Sequence, residues 1–309
     1  MKNCLVTGAT GFVGKRLVEK LIMDGLNVYG VSKNTNTPFI HENYKHIKCN
    51  LEKSEIPKVI LNKIDTVFHL AGYAHDQKKS KTFIETHKSL TYMSSIKLAK
   101  KVKKIPIKNF IFVSTVKAGM NNEHDTNNNK FKNSIDKKNV YGFYKRKAEI
   151  ELLKIFKNSN IHFSIIRPSL VYGPNLKGNL GNMFRAIKWR LFPPLPIIKN
   201  KKSMIHIDDL VEAILILVKN KKSKYKIYIA SDGKVYSTYD IYKIFKTIQK
   251  QKIPSWNLPY SFLTFLKSNS YLKSKINKLI EDDYYYSIEL NKLGFKPKLS
   301  LKKIYEKNF

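Results

Sequence analysis

In the first half of the chain, apolar runs of about four to seven residues alternate with longer stretches whose apolar residues recur at helical spacing. The runs predict strands and the longer stretches predict helices. Strands that are apolar throughout and joined by helices indicate a parallel sheet with both faces covered. We therefore predict an α/β protein with a doubly wound parallel sheet. The predicted strands are Cys4–Thr7, Asn27–Val31, His46–Cys49, Thr66–Leu70, Asn109–Ser114 and Phe163–Arg167, and the main predicted helices are Phe12–Met23, Thr82–Lys103 and Val140–Lys157.

The alternation breaks after Pro168, where a Gly- and Pro-rich stretch begins. A regular pattern returns near residues 207–235 and is followed by a Tyr- and Lys-rich C-terminal third. We predict that residues 1–168 and 207–235 form one domain. Residues 169–206 and 236–309 are predicted to form a smaller C-terminal lobe.

The 309 residues include 58 Lys or Arg and 23 Asp or Glu, which gives a formal net charge of +35. A charge of this size is typical of proteins that bind nucleic acid or an anionic membrane. Only 5 of these cations are Arg, although Arg is the better side chain for bidentate phosphate and base recognition. We interpret most of the charge as a drift in composition and expect no nucleic-acid partner. Adaptation to a polyanion is the alternative.

The two cysteines, Cys4 and Cys49, fall in predicted buried strands, so neither a disulfide framework nor a Cys-based metal site is indicated. The N-terminus leads directly into a strand pattern and lacks the apolar stretch of a signal peptide. No segment approaches the roughly 18 uninterrupted apolar residues that a spanning helix needs. We expect a soluble protein of the reducing cytoplasm, without membrane insertion.

A glycine-rich turn follows the first predicted strand. Residues 7–14 read TGATGFVG, with Gly8, Gly11 and Gly14 at regular spacing before the first helix. The first glycine permits a tight turn, the second lets the backbone approach a pyrophosphate, and the third lets helix and strand pack closely. An ordinary strand-to-helix turn is the alternative. The predicted phosphate-binding residues are Gly8, Thr10, Gly11, Phe12, Val13 and Gly14.

Tyr141 and Lys145 form a candidate catalytic pair. They lie four positions apart in the helical stretch YGFYK and therefore share a face. A phenol has an ordinary pKa of about 10, and a neighbouring ammonium lowers that pKa toward neutrality. The preceding strand ends in IFVSTVKAG, and ligands of open α/β sheets bind beyond the carboxyl ends of the strands. The spacing alone is frequent by chance in a chain with 18 Tyr.

Three segments, TGATGFVG, HLAG at residues 69–72 and YGFYKRKAE from Tyr141, resemble the extended short-chain dehydrogenase/reductase family in its NAD(P)-dependent epimerase/dehydratase branch. The resemblance covers nearly the whole chain. It implies a Rossmann-type fold, an NAD(P) cofactor and a nucleotide-sugar substrate. It also implies that Thr115, Tyr141 and Lys145 are catalytic, and that Thr115 and Tyr141 contact the substrate. The cofactor contacts that it implies are Leu70, Ala71, Gly72, Tyr141, Lys145 and Pro168.

The end of the second strand bears on the choice between NAD and NADP, because an acidic residue there binds the ribose 2′-hydroxyl of NAD. This chain has Ser32 and Lys33 instead, and a hydroxyl beside an ammonium suits a 2′-phosphate. We therefore predict NADP as the cofactor, with NAD as the alternative. Asn50 and Leu51 follow the third strand, where the family usually has an Asp near the adenine, so a weaker contact is implied there.

In the C-terminal lobe, the resemblance places Asn179 against the nucleotide diphosphate or base and Lys202 at the diphosphate, where the family has an Arg. His206, Asp208 and Asp209 look like metal ligands when taken out of context. We predict instead that His206 is a packed strand residue and Asp209 a helix cap, and we expect no metal.

The resemblance implies hydride transfer at C4 of a UDP-hexose or UDP-N-acetylhexosamine. Dehydratases of the family follow the Thr with Asp-Glu, but Val116 and Lys117 stand here, so dehydration is not expected. We favour a 4-ketoreductase of surface-polysaccharide (O-antigen) sugar synthesis. A UDP-sugar 4-epimerase is the alternative, and a non-catalytic RNA-binding member of the superfamily is a more distant one.

Two further expectations come from the resemblance. A homodimer is expected to form a four-helix interface through Thr82–Lys103 and Val140–Lys157. His87 stands where the family often has an Asn, and we expect it on a helix surface without a chemical role.

Overall fold

Seven parallel strands form the central sheet of the computed structural model, which describes residues 1–35, 39–72, 81–119, 139–176 and 178–301. The strands of the chain are β1 (Asn3–Thr7), β2 (Asn27–Ser32), β3 (Tyr44–Lys48), β4 (Thr66–His69), β5 (Asn109–Val113), β6 (His162–Pro168), β7 (Leu170–Tyr172), β8 (Met204–His206) and β9 (Ile227–Ala230). The order across the central sheet is β3-β2-β1-β4-β5-β6-β9. The predicted doubly wound parallel sheet is confirmed. Because the connections change direction between β1 and β4, ligand is expected in the crevice beyond the carboxyl ends of these two strands.

Helices connect the strands and follow them to the C-terminal region. They are α1 (Phe12–Met23), α2 (Lys58–Leu61), α3 (Lys81–Thr86), α4 (Ser94–Val102), α5 (Val140–Phe156), α6 (Gly178–Lys188), α7 (Ile207–Lys219), α8 (Thr238–Ile248), α9 (Tyr260–Leu266), α10 (Ser270–Ile280) and α11 (Ile288–Lys292). Short 3-10 turns occur at Val116–Ala118 and Lys221–Ser223. Across the described residues, no helix combines the length and the apolar composition needed to cross a bilayer.

The segment predicted as one helix, Thr82–Lys103, changes its winding in the middle. A π-helical segment, His87–Met93, separates α3 from α4. The side chains of Ser94 and Ser95 donate hydrogen bonds to carbonyls one turn back, which holds the irregular backbone at this place. This π-helical segment packs on α5. Because π-helical turns occur often at functional sites, we expect the functional site on that side of α5. The expected pairing of two copies through these helices stays a prediction.

Two compact units divide the chain. The first comprises residues 1–168, 210–230 and 287–295, and the second comprises residues 169–209, 231–286 and the segment that begins at Lys296. Residues 287–295 were expected in the C-terminal lobe. They belong to the first unit because α11 packs against β9, with Leu290 and Phe295 buried.

The core of the first unit lies between the sheet and helices α4 and α5. Leu5, Val67 and the phenyl rings of β5 and β6 meet Leu98, Val102, Leu152 and Phe156 there. Cys49 belongs to the same core, and Cys4 is buried in β1, so both cysteines are buried thiols as predicted.

The second unit has its own core. β7 and β8 form a two-stranded parallel sheet, and Tyr172, Ile187, Tyr242 and Phe245 are among the side chains buried beside it. A separate small cluster joins Ile198 with Leu263 of α9 and Ile276 of α10.

Candidate active site

The glycine-rich turn between β1 and α1 is shaped by contacts that leave no room for side chains. Gly8 has a φ of 72°, in the left-handed region, and a Cβ there would lie 3.1 Å from the Ala71 backbone nitrogen. A Cβ at Gly14 would lie 2.1 Å from the Gly8 carbonyl oxygen. Both positions therefore require glycine, one for the turn and the other for the contact between α1 and β1.

The first turn of α1 presents backbone N–H groups to the crevice. Gly11 precedes the helix in an extended conformation, and among the described residues no side chain caps it. The uncapped N–H groups and the positive end of the helix dipole attract an anion. Thr10, Phe12 and Val13 are half-buried around this turn. The turn fits a diphosphate, which is what the resemblance implies.

His69, the last residue of β4, ties the other side of the crevice to β1. The Ser95 hydroxyl donates to the Thr91 carbonyl, so its oxygen accepts from His69 Nε2 at 2.8 Å. His69 Nδ1 then carries no proton and accepts from Thr7 Oγ1 at 2.6 Å, and that hydroxyl oxygen accepts in turn from the backbone N–H groups of the two residues after His69. Burial, followed by the charge of Lys145, lowers the pKa of His69 to about 3 and keeps the ring neutral.

This network positions the predicted cofactor wall of Leu70, Ala71 and Gly72. Ala71 is buried against Gly8, and Leu70 and Gly72 are half-buried. A Cβ at Gly72 would lie 3.3 Å from Lys145 Nζ, so the wall continues directly into the candidate catalytic lysine. Pro168 is buried as the last residue of β6.

At the carboxyl end of β2, the side chain of Ser32 is occupied by its own turn. It is buried and donates to the Asn34 carbonyl at 3.1 Å, while Lys33 is exposed beside it. His46 of β3 donates to the same carbonyl through Nε2 at 2.9 Å. A ligand here would therefore meet the Lys33 ammonium more readily than the Ser32 hydroxyl.

Asn50 and Leu51 lie after β3, at the predicted adenine end. The Asn50 side-chain oxygen accepts from the Glu52 backbone N–H at 3.1 Å, which fixes the amide in a local turn. Leu51 is half-buried and packs on the first unit's core. Asn50 therefore keeps its amide NH2 for a ligand, a weaker feature than the family's carboxylate.

Tyr141 and Lys145 lie one turn apart on α5, as their spacing predicts. Lys145 is buried, and its Nζ donates to the carbonyl of Val113, the last residue of β5, at 2.8 Å. The ammonium also lies over the Phe112 ring, 4.5 Å from the centroid. Burial lowers the pKa of Lys145 to about 7, an effect that the nearby Glu149 partly offsets. The side chain is thus held in a position and a pKa range suited to proton transfer near neutral pH.

Glu149, one helical turn after Lys145 on α5, is the centre of a buried ion cluster. Arg167 of β6 grips it with two hydrogen bonds, Nε to Oε1 at 2.9 Å and Nη2 to Oε2 at 2.7 Å, and Arg146 adds a third at 3.2 Å. Burial alone would raise the pKa of Glu149, but Arg167, with help from Ser114 and Arg146, holds it below its ordinary value. The cluster locks α5 to β6, and so fixes the register of the helix that carries Tyr141 and Lys145.

Thr115 opens a 3-10 turn just beyond β5. Its side chain is buried, and its oxygen accepts from the Lys117 backbone N–H at 3.3 Å. Asn139 joins this turn to α5, because its amide donates to the Lys117 carbonyl at 2.9 Å while its oxygen caps the helix at the Gly142 N–H, at 3.0 Å. The structure thereby holds Thr115 and the start of the Tyr141 helix against each other.

Gly142 makes this close approach possible, and we predict that Gly142→Ala damages the site. A Cβ there would lie 2.2 Å from the Lys117 carbonyl oxygen and 2.4 Å from Asn139 Nδ2. The overpacking should cost about 1–3 kcal/mol of unfolding free energy, and turnover should fall by about tenfold or more as Tyr141 shifts from Thr115. Urea denaturation and steady-state kinetics measure the two effects. Lys154→Ala, on the exposed side of the same helix, is the control, and unchanged turnover in Gly142→Ala would show that the contact is dispensable.

His87 was expected on a helix surface. In the structure it is fully buried. The wider turn of the π-helical segment directs it inward, where its ring packs edge-on to Phe83 with the centroids 4.5 Å apart. Its centroid is 5.8 Å from that of Tyr141, and its Nδ1 is 3.5 Å from Thr91 Oγ1. His87 therefore belongs to the wall behind the candidate catalytic tyrosine.

The remaining predicted residues lie in the second unit. Asn179 is exposed in the first turn of α6, whereas Lys202 is buried and its backbone pairs with Tyr236 and Asp283. His206 is a packed strand residue of β8, as predicted.

The prediction that Asp209 caps its own helix is wrong. Its two carboxylate oxygens accept from the backbone N–H groups of Lys298 and Leu299, at 3.1 and 2.9 Å, because a distant segment of the second unit supplies those donors. In the described part of the chain, no group of three or more His, Cys, Asp or Glu residues is arranged to hold a metal ion.

The sequence analysis missed three groups that shape this site: the Glu149–Arg167 pair, the Asn139 cap and the His69 network. A signal existed for the first, because Arg167 interrupts an apolar strand and Glu149 lies four positions after Lys145 on the same helix face. Asn139 stands directly before a helical pattern, which is the usual place of a cap.

Comparison with known proteins agrees with this geometry. The sequence profile of the NAD dependent epimerase/dehydratase family matches residues 4–230. A protein of Vibrio cholerae named UDP-glucose 4-epimerase is 29% identical over 318 aligned residues, which cover 97% of this chain and 92% of that protein. A protein of Escherichia coli O157:H7, named N-acetyl-alpha-D-glucosaminyl-diphospho-ditrans,octacis-undecaprenol 4-epimerase, is 29% identical over 84% of this chain and 76% of its own length.

Solved structures share the fold. The UDP-glucuronic acid 4-epimerase of Bacillus cereus, determined in complex with NAD, has a TM-score of 0.77 at 18% identity and covers 99% of this chain and 94% of its own. The UDP-glucose 4-epimerase of Thermotoga maritima, determined with UDP-glucose, has a TM-score of 0.74 at 19% identity, with 98% and 96% covered. With its sheet order, glycine-rich turn and family profile in agreement, the chain belongs to the NAD dependent epimerase/dehydratase family.

Proposed function

We propose that this protein is an NAD(P)-dependent oxidoreductase that transfers a hydride at C4 of a UDP-hexose or UDP-N-acetylhexosamine, acting as a 4-ketoreductase in the synthesis of a surface-polysaccharide sugar. The observation that carries the proposal is the position of Lys145. Its ammonium bonds the last carbonyl of β5, two residues before Thr115, and lies one helical turn after Tyr141. A charge partner, a proton-transfer group and a substrate-orienting hydroxyl therefore belong to one end of the sheet.

The proton steps fall to these three side chains. Tyr141 exchanges the proton of the reacting sugar oxygen, and the Lys145 ammonium stabilises the phenolate that results when Tyr141 has given up its proton. The oxygen of Thr115 is engaged by the Lys117 N–H, so its hydroxyl hydrogen is the part offered to a substrate oxygen. The nicotinamide, when bound, supplies or accepts the hydride.

Water elimination is not part of the proposal. In family dehydratases an acidic pair follows the threonine, but Val116 is buried here and Lys117 carries the opposite charge. The two positions therefore lack the carboxylic acid and carboxylate with which those dehydratases remove water from the sugar. A dTDP-D-glucose 4,6-dehydratase of Dictyostelium discoideum, 25% identical over 79% of this chain, is a relative from which we expect the activity to differ.

For the cofactor we propose NADP. The family is NAD(P)-dependent, and solved neighbours hold NAD. Lys33 is exposed after β2, and no carboxylate stands at the two positions where one would select the 2′-hydroxyl of NAD. Reductive biosynthesis also draws on NADPH, so this cofactor and the reductase assignment support each other.

A 4-epimerase is the second candidate, because both curated relatives described above bear that name. The Thr115, Tyr141 and Lys145 set serves either reaction. An epimerase returns the hydride to the opposite face of the same sugar and needs no net cofactor, whereas a reductase consumes one NADPH in each turnover.

The experiment supplies the purified protein with UDP-4-keto-hexoses, UDP-glucose, UDP-galactose, their N-acetyl forms and a polyprenyl-diphosphate N-acetylhexosamine. The expected result is NADPH oxidation that depends on a 4-keto sugar and is slower with NADH. Interconversion of C4 epimers without added cofactor would replace the reductase by the epimerase. Absence of turnover on every substrate, together with RNA binding, would favour the non-catalytic alternative.

A further inference from the structure

We propose that the second unit docks on an anionic lipid bilayer through one surface, named here the aromatic–lysine face. The face consists of exposed apolar side chains with exposed cations among them. Its apolar members are Trp189, Leu191, Ile197, Ile253, Trp256, Tyr260, Phe262 and Phe265, and its cations are Lys188, Arg190, Lys199 and Lys252. This inference goes beyond the proposed function and does not depend on it.

Helix α9 shows how the apolar part of the face is built. Leu263 points inward and joins Ile198 and Ile276 in a buried cluster. Phe265 lies two positions later, on the opposite side of the helix, and is 72% exposed. Phe262 is exposed on the same outer side, one turn before Phe265. The helix therefore buries one apolar residue and presents two phenyl rings to the outside.

Contacts within the second unit link neighbours of the other members to α9 and to one another. Ile197 is exposed directly before Ile198, whose side chain packs under α9. The Gln251 side chain donates to the carbonyls of Ile187 and Lys188, which joins the end of α6 to the segment leading to Trp256. Trp189 and Trp256 follow these joined points and are 64% and 59% exposed.

The charge of the surrounding segments matches an anionic surface. Residues 241–280 contain eight Lys and no Asp or Glu, and residues 152–207 also lack acidic residues. Asp282, just beyond α10, accepts from the Lys201 backbone N–H. Two Lys at the edges of these stretches pair with carboxylates just outside them, Lys154 with Glu151 and Lys243 with Asp240. The four cations assigned to the face, Lys188, Arg190, Lys199 and Lys252, lie in stretches that contain no carboxylate of their own.

The side-chain types identify a bilayer as the partner. Trp and Tyr settle at the level of lipid head groups, Phe, Leu and Ile enter the acyl boundary, and Lys is attracted to anionic lipids. Each Lys or Arg near such a surface adds to the attraction. A duplex nucleic-acid site would instead use Arg forks and polar side chains at base edges. A single-strand site would combine stacked aromatic rings with cations, and it needs no exposed aliphatic side chains. The exposed aliphatic side chains of Leu191, Ile197 and Ile253 offer no ring on which a base could stack, but their burial in a lipid interface is favourable.

The two tryptophans give a direct test, because they are the only Trp residues of the chain and both belong to the face. Full-length protein is mixed with vesicles of phosphatidylcholine alone or of equal phosphatidylcholine and phosphatidylglycerol. We expect a blue shift of Trp emission and co-sedimentation with the anionic vesicles only, both weakened at high salt. No shift and no co-sedimentation would overturn the proposal.

Two double variants test whether vesicle binding depends on the aromatic–lysine face or on exposed apolar side chains in general. Phe262→Ser with Phe265→Ser should weaken vesicle binding by about tenfold or more. Met23→Ser with Val59→Ser, which removes two apolar residues of the first unit that are more exposed on average, should not. Circular dichroism and melting verify that both variants are folded. Equal binding by the two variants contradicts the proposal. A Trp shift produced by single-stranded RNA, or by raised protein concentration without lipid, would assign the face to RNA or to a second copy instead.

Discussion

Replacing Tyr141 by Phe lowers kcat by about 10²- to 10⁴-fold, the contribution that a positioned acid or base makes to proton transfer. The phenyl ring keeps its contact with His87 and its place on α5, so the fold and the cofactor crevice are retained. The affinity for NADPH should change by no more than about twofold, because the phosphate turn and the Lys145 side chain are untouched. Steady-state kinetics and a fluorescence titration of the cofactor measure these two quantities.

Tyr144→Phe is the matched control for this change. Tyr144 lies on the same helix, is buried, and packs against Phe143 and Tyr92. Loss of its hydroxyl should leave kcat within about twofold of the wild-type value. If Tyr141→Phe retained more than a tenth of the turnover, or if Tyr144→Phe lost as much, Tyr141 would not be the proton-transfer residue.

The sheet and the phosphate turn were predictable because their signals are local. Short apolar runs that alternate with helical patterns indicate parallel strands, and Gly8 and Gly14 satisfy steric demands that no other residue meets. The pair Tyr141 and Lys145 was predictable for the same reason, since one helical turn determines their shared face. Such features depend on neighbours in the sequence and need little knowledge of the rest of the fold.

The environment of this pair was harder to predict because distant segments supply it. The Val113 carbonyl that holds Lys145 and the Arg167 guanidinium that holds Glu149 come from two different strands. The predicted position of His87 was wrong for another reason. One wide π-helical turn rotates its side chain inward, and no Gly or Pro in the segment indicates that turn. Asp209 lies where a helix cap is expected from the sequence. Its carboxylate instead accepts from backbone N–H groups of the C-terminal segment.

Burial of Lys145 links the chemistry of the site to the stability of the fold. On burial the Lys145 ammonium loses its hydration and gains one hydrogen bond to a carbonyl and one aromatic ring face. These contacts offset only part of the desolvation cost, so burial lowers the Lys145 pKa to about 7. The folded protein therefore carries an electrostatic strain at the residue that we assign to catalysis. Replacing this residue should separate the two roles.

Lys145→Met should lower kcat by about 10²-fold or more, because Tyr141 loses the charge that stabilises its phenolate. The same change should stabilise the apo protein at acidic pH. The ordinary lysine pKa of 10.5 falls to about 7 on folding, so between these values the unfolded chain holds a proton that the folded chain has released. This group thus makes wild-type stability rise with pH across that window, and its full penalty applies below pH 7.

The free-energy advantage of Lys145→Met over wild type should consequently shrink by about 2–3 kcal/mol between pH 6 and pH 9. The unpaired Val113 carbonyl subtracts about 1–3 kcal/mol at every pH, so it changes the size of the advantage but not its slope. Urea unfolding of both proteins at several pH values measures the difference, in which the other titrating groups cancel. Lys147→Met, on the same helix with its ammonium over the Tyr92 ring, is the control for turnover. A pH-independent difference between Lys145→Met and wild type would mean that the Lys145 pKa is not lowered in the folded protein.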